Sequence, residues 1–192
     1  MKLPESELKK QLETARLKYK PEIVKYLLIA EAPPNSIERF FYYDNVNEHD
    51  YLFIGVAQAL YPDMKDKFLA SNRSSTIKNE ILNKLKADGF YLLDLSELPL
   101  SLLTEDLSLQ LLSLIERVKI VSDEQTKIIL IKVNVYDIAF NSLQEEFGSV
   151  VDSRITFPSQ GGQVKFQTQF RKALKRLNIT PTRTRVQQSD NP

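Results

Sequence analysis

At 192 residues and 42% hydrophobic content, the chain can bury a full core, and it reads as a single α/β domain over residues 1–180 with a flexible basic tail at 181–192. With no cysteine and one histidine, it excludes a disulfide framework, a thiolate zinc site, a cysteine nucleophile and a histidine-cluster metal centre; no metal and no cofactor are expected. The net charge of +1 hides an asymmetry, because residues 153–189 hold eight basic side chains and no acidic one, whereas residues 1–152 hold 18 basic and 24 acidic.

The segment Met1 to Glu7 lacks the charged-then-apolar order of a signal peptide, and no apolar run approaches the roughly 20 residues that span a bilayer. A soluble, cytoplasmic protein with no membrane partner is expected. Residues 5 to 18 have helical periodicity, with Leu8, Leu12 and Ala15 on one face, and Pro21 closes the segment. The run Val24 to Ala30 reads as a strand covered on both faces, and it breaks into Glu31-Ala32-Pro33-Pro34-Asn35. Residues 31–72 read as irregular with short helices, one of them at Tyr51 to Leu60.

Ser75 to Ala87 forms an amphipathic helix ended by Gly89, followed by a strand at Phe90-Tyr91-Leu92-Leu93 that ends at Asp94. Thr104 is the expected N-cap of a helix carrying Leu107, Leu111, Leu114, Ile115 and Val118. A third strand is expected at Lys127 to Val133, a helix at Tyr136 to Phe147 stopped by Gly148, and a short fourth strand at Val150-Val151. The last helix, Gln163 to Leu177, buries Phe166, Phe170, Ala173 and Leu174. Fourfold alternation of strand and helix predicts a central four-stranded parallel sheet in an α/β/α arrangement, with its ligand crevice at the carboxyl ends of the strands.

Four polar sets converge at those ends: Glu31 with Asn35, Asp94, Lys132 with Asn134, and Ser159 with Gln160. Glu31 follows five apolar residues, so its carboxylate needs a donor, which Lys132 or a backbone amide can supply. It is either a functional carboxylate or a structural one that caps a helix or pairs with a lysine. Pro33-Pro34 removes two amide donors and makes a stiff wall. There is no Gly-rich nucleotide loop and no serine-nucleophile elbow. Gly161-Gly162 opens a helix N-terminus suited to an anion, and Lys165, Arg171 and Lys172 extend the basic edge towards a nucleic-acid backbone. Arg39-Phe40-Phe41-Tyr42-Tyr43 offers rings that either stack on a base or belong to the core. His49 lies in a polar loop and reads as solvated.

The order of these segments resembles the uracil-DNA glycosylase superfamily over about residues 23–177. Ala30-Glu31-Ala32-Pro33-Pro34 is similar to that family's Gly-Glu-Ala-Pro-Gly motif, Phe157-Pro158-Ser159 to its His-Pro-Ser motif, and Tyr91-Leu92-Leu93-Asp94 fits between them. The resemblance implies extrusion of a nucleotide into the pocket and water attack at the sugar carbon. It casts Glu31 and Asn35 as catalytic, Asp94, Phe40, Phe41, Pro33 and Pro34 as base-binding, and Phe157, Pro158, Ser159 and Gln160 as the last motif. DNA or another nucleobase-containing ligand is the implied partner. The chain departs from the family at Phe157, which cannot donate the hydrogen bond of the motif's histidine, and at Ala32, where some members carry a water-activating aspartate. Asp94 stands where uracil readers carry an asparagine and can only accept, which favours a donor-rich base edge over uracil. The reading is therefore a base-binding protein that excises a modified base other than uracil, or a non-catalytic nucleotide- or DNA-binding module. A carboxylate metal hydrolase using Glu31 and Asp94 is a third option.

Overall fold

Three apolar runs of the chain become three parallel strands. In the computed structural model, which describes residues 4–46, 48 and 50–182, they are β1 (Tyr26–Ala30), β2 (Phe90–Asp94) and β3 (Lys127–Leu130), in the order β2-β1-β3. Ala30 pairs with Asp94 and Ile29 with Leu130, so the carboxyl ends finish level with one another. All of β2 is buried, as is β1 from Leu27 onward, which is why these strands read as continuous apolar runs with no alternation. The outer edge of β2 is closed at Leu92: its N–H donates to the Tyr42 hydroxyl at 2.6 Å, and that hydroxyl donates back to the Leu92 carbonyl at 3.3 Å.

The expected fourth strand is not continuous. Residues 149–155 run alongside β3 through two isolated parallel bridges, Ile128 with Val150 and Ile131 with Ile155. Exposed Asp152 and Arg154 stand between the bridged, buried Val150 and Ile155, and the ladder breaks there. The third strand is also shorter than expected, because Lys132 takes a φ of +88° and starts the next helix directly.

Seven α-helices complete the described residues: α1 (Glu5–Lys18), α2 (Tyr51–Leu60), α3 (Pro62–Ala70), α4 (Ser75–Asp88), α5 (Leu111–Val121), α6 (Val133–Phe147) and α7 (Gln163–Arg176). Gly89 and Gly148 close α4 and α6 in the left-handed conformation, as their positions predict. Helix α3, which falls in the stretch expected to be irregular with short helices, begins with Pro62 in its first turn, where a missing N–H costs nothing. Thr104 is not an N-cap. Asp106 accepts the Ser108 amide at 2.9 Å, capping a 3-10 turn at Leu107–Gln110 that leads into α5.

Helix α2 packs on α3 and α7, α3 on α4, and α5 on α6, while α4 reaches β2 and α6 reaches β3. One buried apolar cluster joins all three strands and residues of all seven helices. No described helix is long and apolar enough to cross a membrane. Of the expected tail, the Thr182 amide bonds the Leu60 carbonyl at 2.8 Å, and residues 183–192 lie outside the described residues, as does His49.

Candidate functional site

The level carboxyl ends of the strands open into a cavity of about 480 Å³. Its walls come from both distinctive segments of the sequence: Glu31, Ala32, Pro33 and Pro34 after β1, and Phe157 and Gln160 before α7. Phe40, Phe41, Phe53 and Leu92 supply apolar surface, Asp50 and Asp94 two further carboxylates, and Arg39 and Lys132 two cations. A cavity of this size, mostly apolar with a few convergent polar groups, has the proportions of a small-molecule or nucleotide site.

Glu31 sits at the mouth, its side chain 14% exposed, and both of its oxygens find donors. The Lys132 ammonium bonds Oε2, and the Asn134 side-chain amide donates to Oε1 at 3.1 Å. The left-handed backbone of Lys132, unusual for a residue with a side chain, belongs to this arrangement: its amide bonds the Ile155 carbonyl while its ammonium meets Glu31. The sequence reading that gave Glu31 a lysine partner therefore corresponds to the observed contact. Each oxygen of a carboxylate can accept more than one hydrogen bond, so Glu31 keeps room for a water or ligand donor.

Asp94 is 98% shielded from solvent, and its partner comes from a helix near the start of the chain, 78 residues away. The Arg16 guanidinium, equally buried on α1, bonds Asp94 Oδ2 at 3.1 Å, and Arg117 donates to the backbone carbonyls of Asp94 and Leu95, both at 2.8 Å. Burial pushes the Asp94 carboxyl above its ordinary value, against the pull of Arg16 and Arg117. For Arg16 burial works against the charge, but Asp94 and Glu13 outweigh it and hold the guanidinium more firmly protonated. One of the two acceptor oxygens expected to read a base is thus committed to a structural ion pair.

Phe40 and Phe41 line the cavity yet are almost wholly buried, so they present only part of their rings. Phe41 meets Tyr42 and Phe53 edge to face, at centroid distances of 5.0 and 5.7 Å, and Arg16 lies 5.6 Å from the centroid of Phe40. Phe157 is half-buried and faces the same cavity. Asn35 is brought elsewhere: it is exposed, is not part of the lining, and accepts the Ser101 hydroxyl at 2.7 Å.

Pro158 is buried beneath the last motif, whereas Ser159 and Gly161 are exposed beside Gln160. The motif is a self-bonded turn in which the Ser159 amide reaches the Phe157 carbonyl at 2.9 Å and the Gly162 amide the Ser159 carbonyl at 2.8 Å. One of the amides expected to await an anion is therefore used within the turn. Along α7, Lys165, Lys172 and Arg176 lie within one face by helical spacing and are exposed. Arg171, also exposed, donates to the Gln58 carbonyl at 3.0 Å, and Arg176 to that of Asp152.

Three residues near the cavity were not singled out from the sequence. Asp50 precedes α2 as an aspartate N-cap would, but its side chain turns inward, and Oδ1 takes Arg73 Nε at 3.3 Å. Lys78, on α4, is fully buried, with Nζ 3.4 Å from the Phe40 carbonyl and 4.5 Å from the centroid of Phe53. Burial pushes its pKa down to about 7, against Asp50 and Asp44. In sequence Lys78 looks like one more cation of a solvated helix face, and only the packing of α4 against the aromatic loop reveals it.

Among the described residues no group of three or more His, Asp or Glu side chains is arranged to hold a metal ion. Comparison with protein families, curated proteins and solved structures finds no match to this chain.

Proposed function

We propose that the chain is a uracil-DNA glycosylase-like protein whose strand-end cavity receives a nucleobase, extruded from DNA or carried by a nucleotide. The observation that carries this reading is the convergence of Glu31-Ala32-Pro33-Pro34 with Phe157 and Gln160, some 125 residues apart, on one cavity at the carboxyl ends of a parallel sheet. The finer fold belongs to the same proposal: an α/β/α sandwich whose fourth strand is the segment bridged to β3. The strand order β2-β1-β3 followed by that segment supports it.

In the enzymatic form of the proposal, Glu31 orients a water towards the sugar carbon while Lys132 and Asn134 hold its carboxylate in place, and the rings of Phe41 and Phe157 flank the base. The excised base is a modified one other than uracil, because Phe157 offers no hydrogen bond to a developing anion on the ring. The same observation favours a second reading, a binding module that keeps the cavity and cleaves nothing. Abasic-site formation on a panel of lesion-bearing oligonucleotides separates the two. Cleavage of one lesion, reduced at least a hundredfold in Glu31→Gln, is expected of the enzyme; retention of the oligonucleotide without any abasic product establishes the module.

A further inference from the structure

A carboxylate placed before a helix ordinarily spends an oxygen on the first amides of that helix. Asp50 does not: no side-chain bond caps α2, its carboxylate is shut off from solvent, and the residue is among those lining the cavity. Its charge is supported from behind. Arg73 bonds Oδ1, and Asn72 and Arg73 both adopt left-handed backbone, with φ of +52° and +59°, in the turn that delivers that guanidinium. Lys78, on α4, in its protonated form attracts the carboxylate further. The other oxygen, Oδ2, is buried and has no hydrogen-bond partner among the described residues. A buried acceptor left unmatched is costly, and it is retained where something outside the chain completes it.

The surroundings define what that completion is. The same cavity is lined by Phe40, Phe41 and Phe53, whose rings suit a flat ring system. Arg39 and Lys132 on the same cavity oppose a metal cation. Asp94 and Asp50 each give one oxygen to an arginine, Oδ2 to Arg16 and Oδ1 to Arg73, but only at Asp50 is the remaining oxygen buried without a partner among the described residues.

We propose that Asp50 is the specificity-determining residue of the cavity, accepting hydrogen bonds from a guanine-type edge in which a ring N–H stands next to an exocyclic amino group. This assignment rests on the base-binding reading above and moves the selection of a donor-rich edge from Asp94 to Asp50. Uracil presents its ring N–H between two carbonyl oxygens, which repel a carboxylate, whereas guanine presents two adjacent donors. A site with a buried acceptor discriminates strongly against a ligand that leaves it unpaired.

Titration calorimetry with guanosine, inosine and uridine tests the assignment. The intact protein is expected to bind guanosine at least tenfold more tightly than inosine, which lacks the amino group, and more tightly still than uridine. Asp50→Asn is expected to weaken guanosine at least tenfold and bring it within about threefold of inosine. Because the substitution touches a buried ion pair and can cost the fold, the three-nucleoside series on the unmodified protein decides by itself. Equal binding of guanosine and uridine there, or a preference that survives Asp50→Asn, overturns the role of Asp50 while leaving the base cavity standing. Failure of all three to bind overturns the base-binding reading and this assignment with it.

Discussion

Lys78 and Arg16 are the residues at which the physics of this protein departs furthest from what a linear reading can reach. Both are cations of amphipathic helices, both are buried, and both are matched by groups distant in sequence: Phe40 and Phe53 for Lys78, Asp94 for Arg16. Glu31 was legible because five apolar residues precede it and because lysine follows β3 in register, whereas Asp50 was not, since an aspartate before an apolar helix looks like an ordinary cap. Lys78 makes a prediction about pH. Its unfolded value is near 10.5 and its folded value about 7, so below pH 7 it is charged in both states and the folded state bears the full cost of burying the charge. As pH rises from 7 towards 10.5, the folded form sheds its proton while the unfolded form keeps it, and stability rises. Urea unfolding between pH 6.5 and 9.5 should show that rise, and Lys78→Met should be the more stable protein at pH 6.5, by on the order of a few kcal/mol, with the rise removed. A stability that is flat with pH in the unmodified chain, or a destabilised Lys78→Met at pH 6.5, contradicts the account.

Among the elements, those whose apolar period and terminators agree were legible: α1, α4 and α7 lie within a residue or two of their expected bounds, and Gly89 and Gly148 end their helices as read. Element bounds were less legible where backbone geometry departs from residue preference. Lys132 enters the left-handed region and converts the end of a strand into the start of α6. Residues 149–155 meet β3 at only two bridges, so a fourth strand inferred from Val150-Val151 exists as contact without a ladder. Helix α2 carries a constraint invisible in sequence. A Cβ at Gly55 would stand 2.9 Å from the Phe166 ring and 3.2 Å from Pro158, because α2 and α7 cross there at close approach. Phe166 is buried and stacked on Phe170, with centroids 5.1 Å apart, which leaves the ring no easy retreat. Gly55→Ala gains helix propensity of about 1 kcal/mol, yet the crowding costs about 1–3 kcal/mol and displaces the Phe157-Pro158 wall. A melting temperature lowered by several degrees is expected, and a raised one would mean that α7 yields freely.

For the molecule as a whole, the arrangement brings an acidic body, a strand-end cavity and an exposed basic face on the helix that leaves the cavity at Gly162 into one construction. The sequence pointed to the cavity because its two ends are marked by proline-bearing turns after apolar runs. It could not show that Asn35 turns away to Ser101, or that Asp94 is drawn onto Arg16, because both depend on segments 66 and 78 residues distant. Under the proposed function a nucleobase enters between these turns while α7 follows the backbone of the strand that carries it. The chain contains no tryptophan, so Phe157→Trp places a lone indole, excited at wavelengths where the eight tyrosines absorb little, on the cavity wall. Titrating that variant with a single-stranded oligonucleotide at two salt concentrations should give saturable quenching as a base stacks on the indole, with affinity falling steeply as salt rises. An indole that stays unquenched at low salt, while acrylamide still reaches it, would contradict the account.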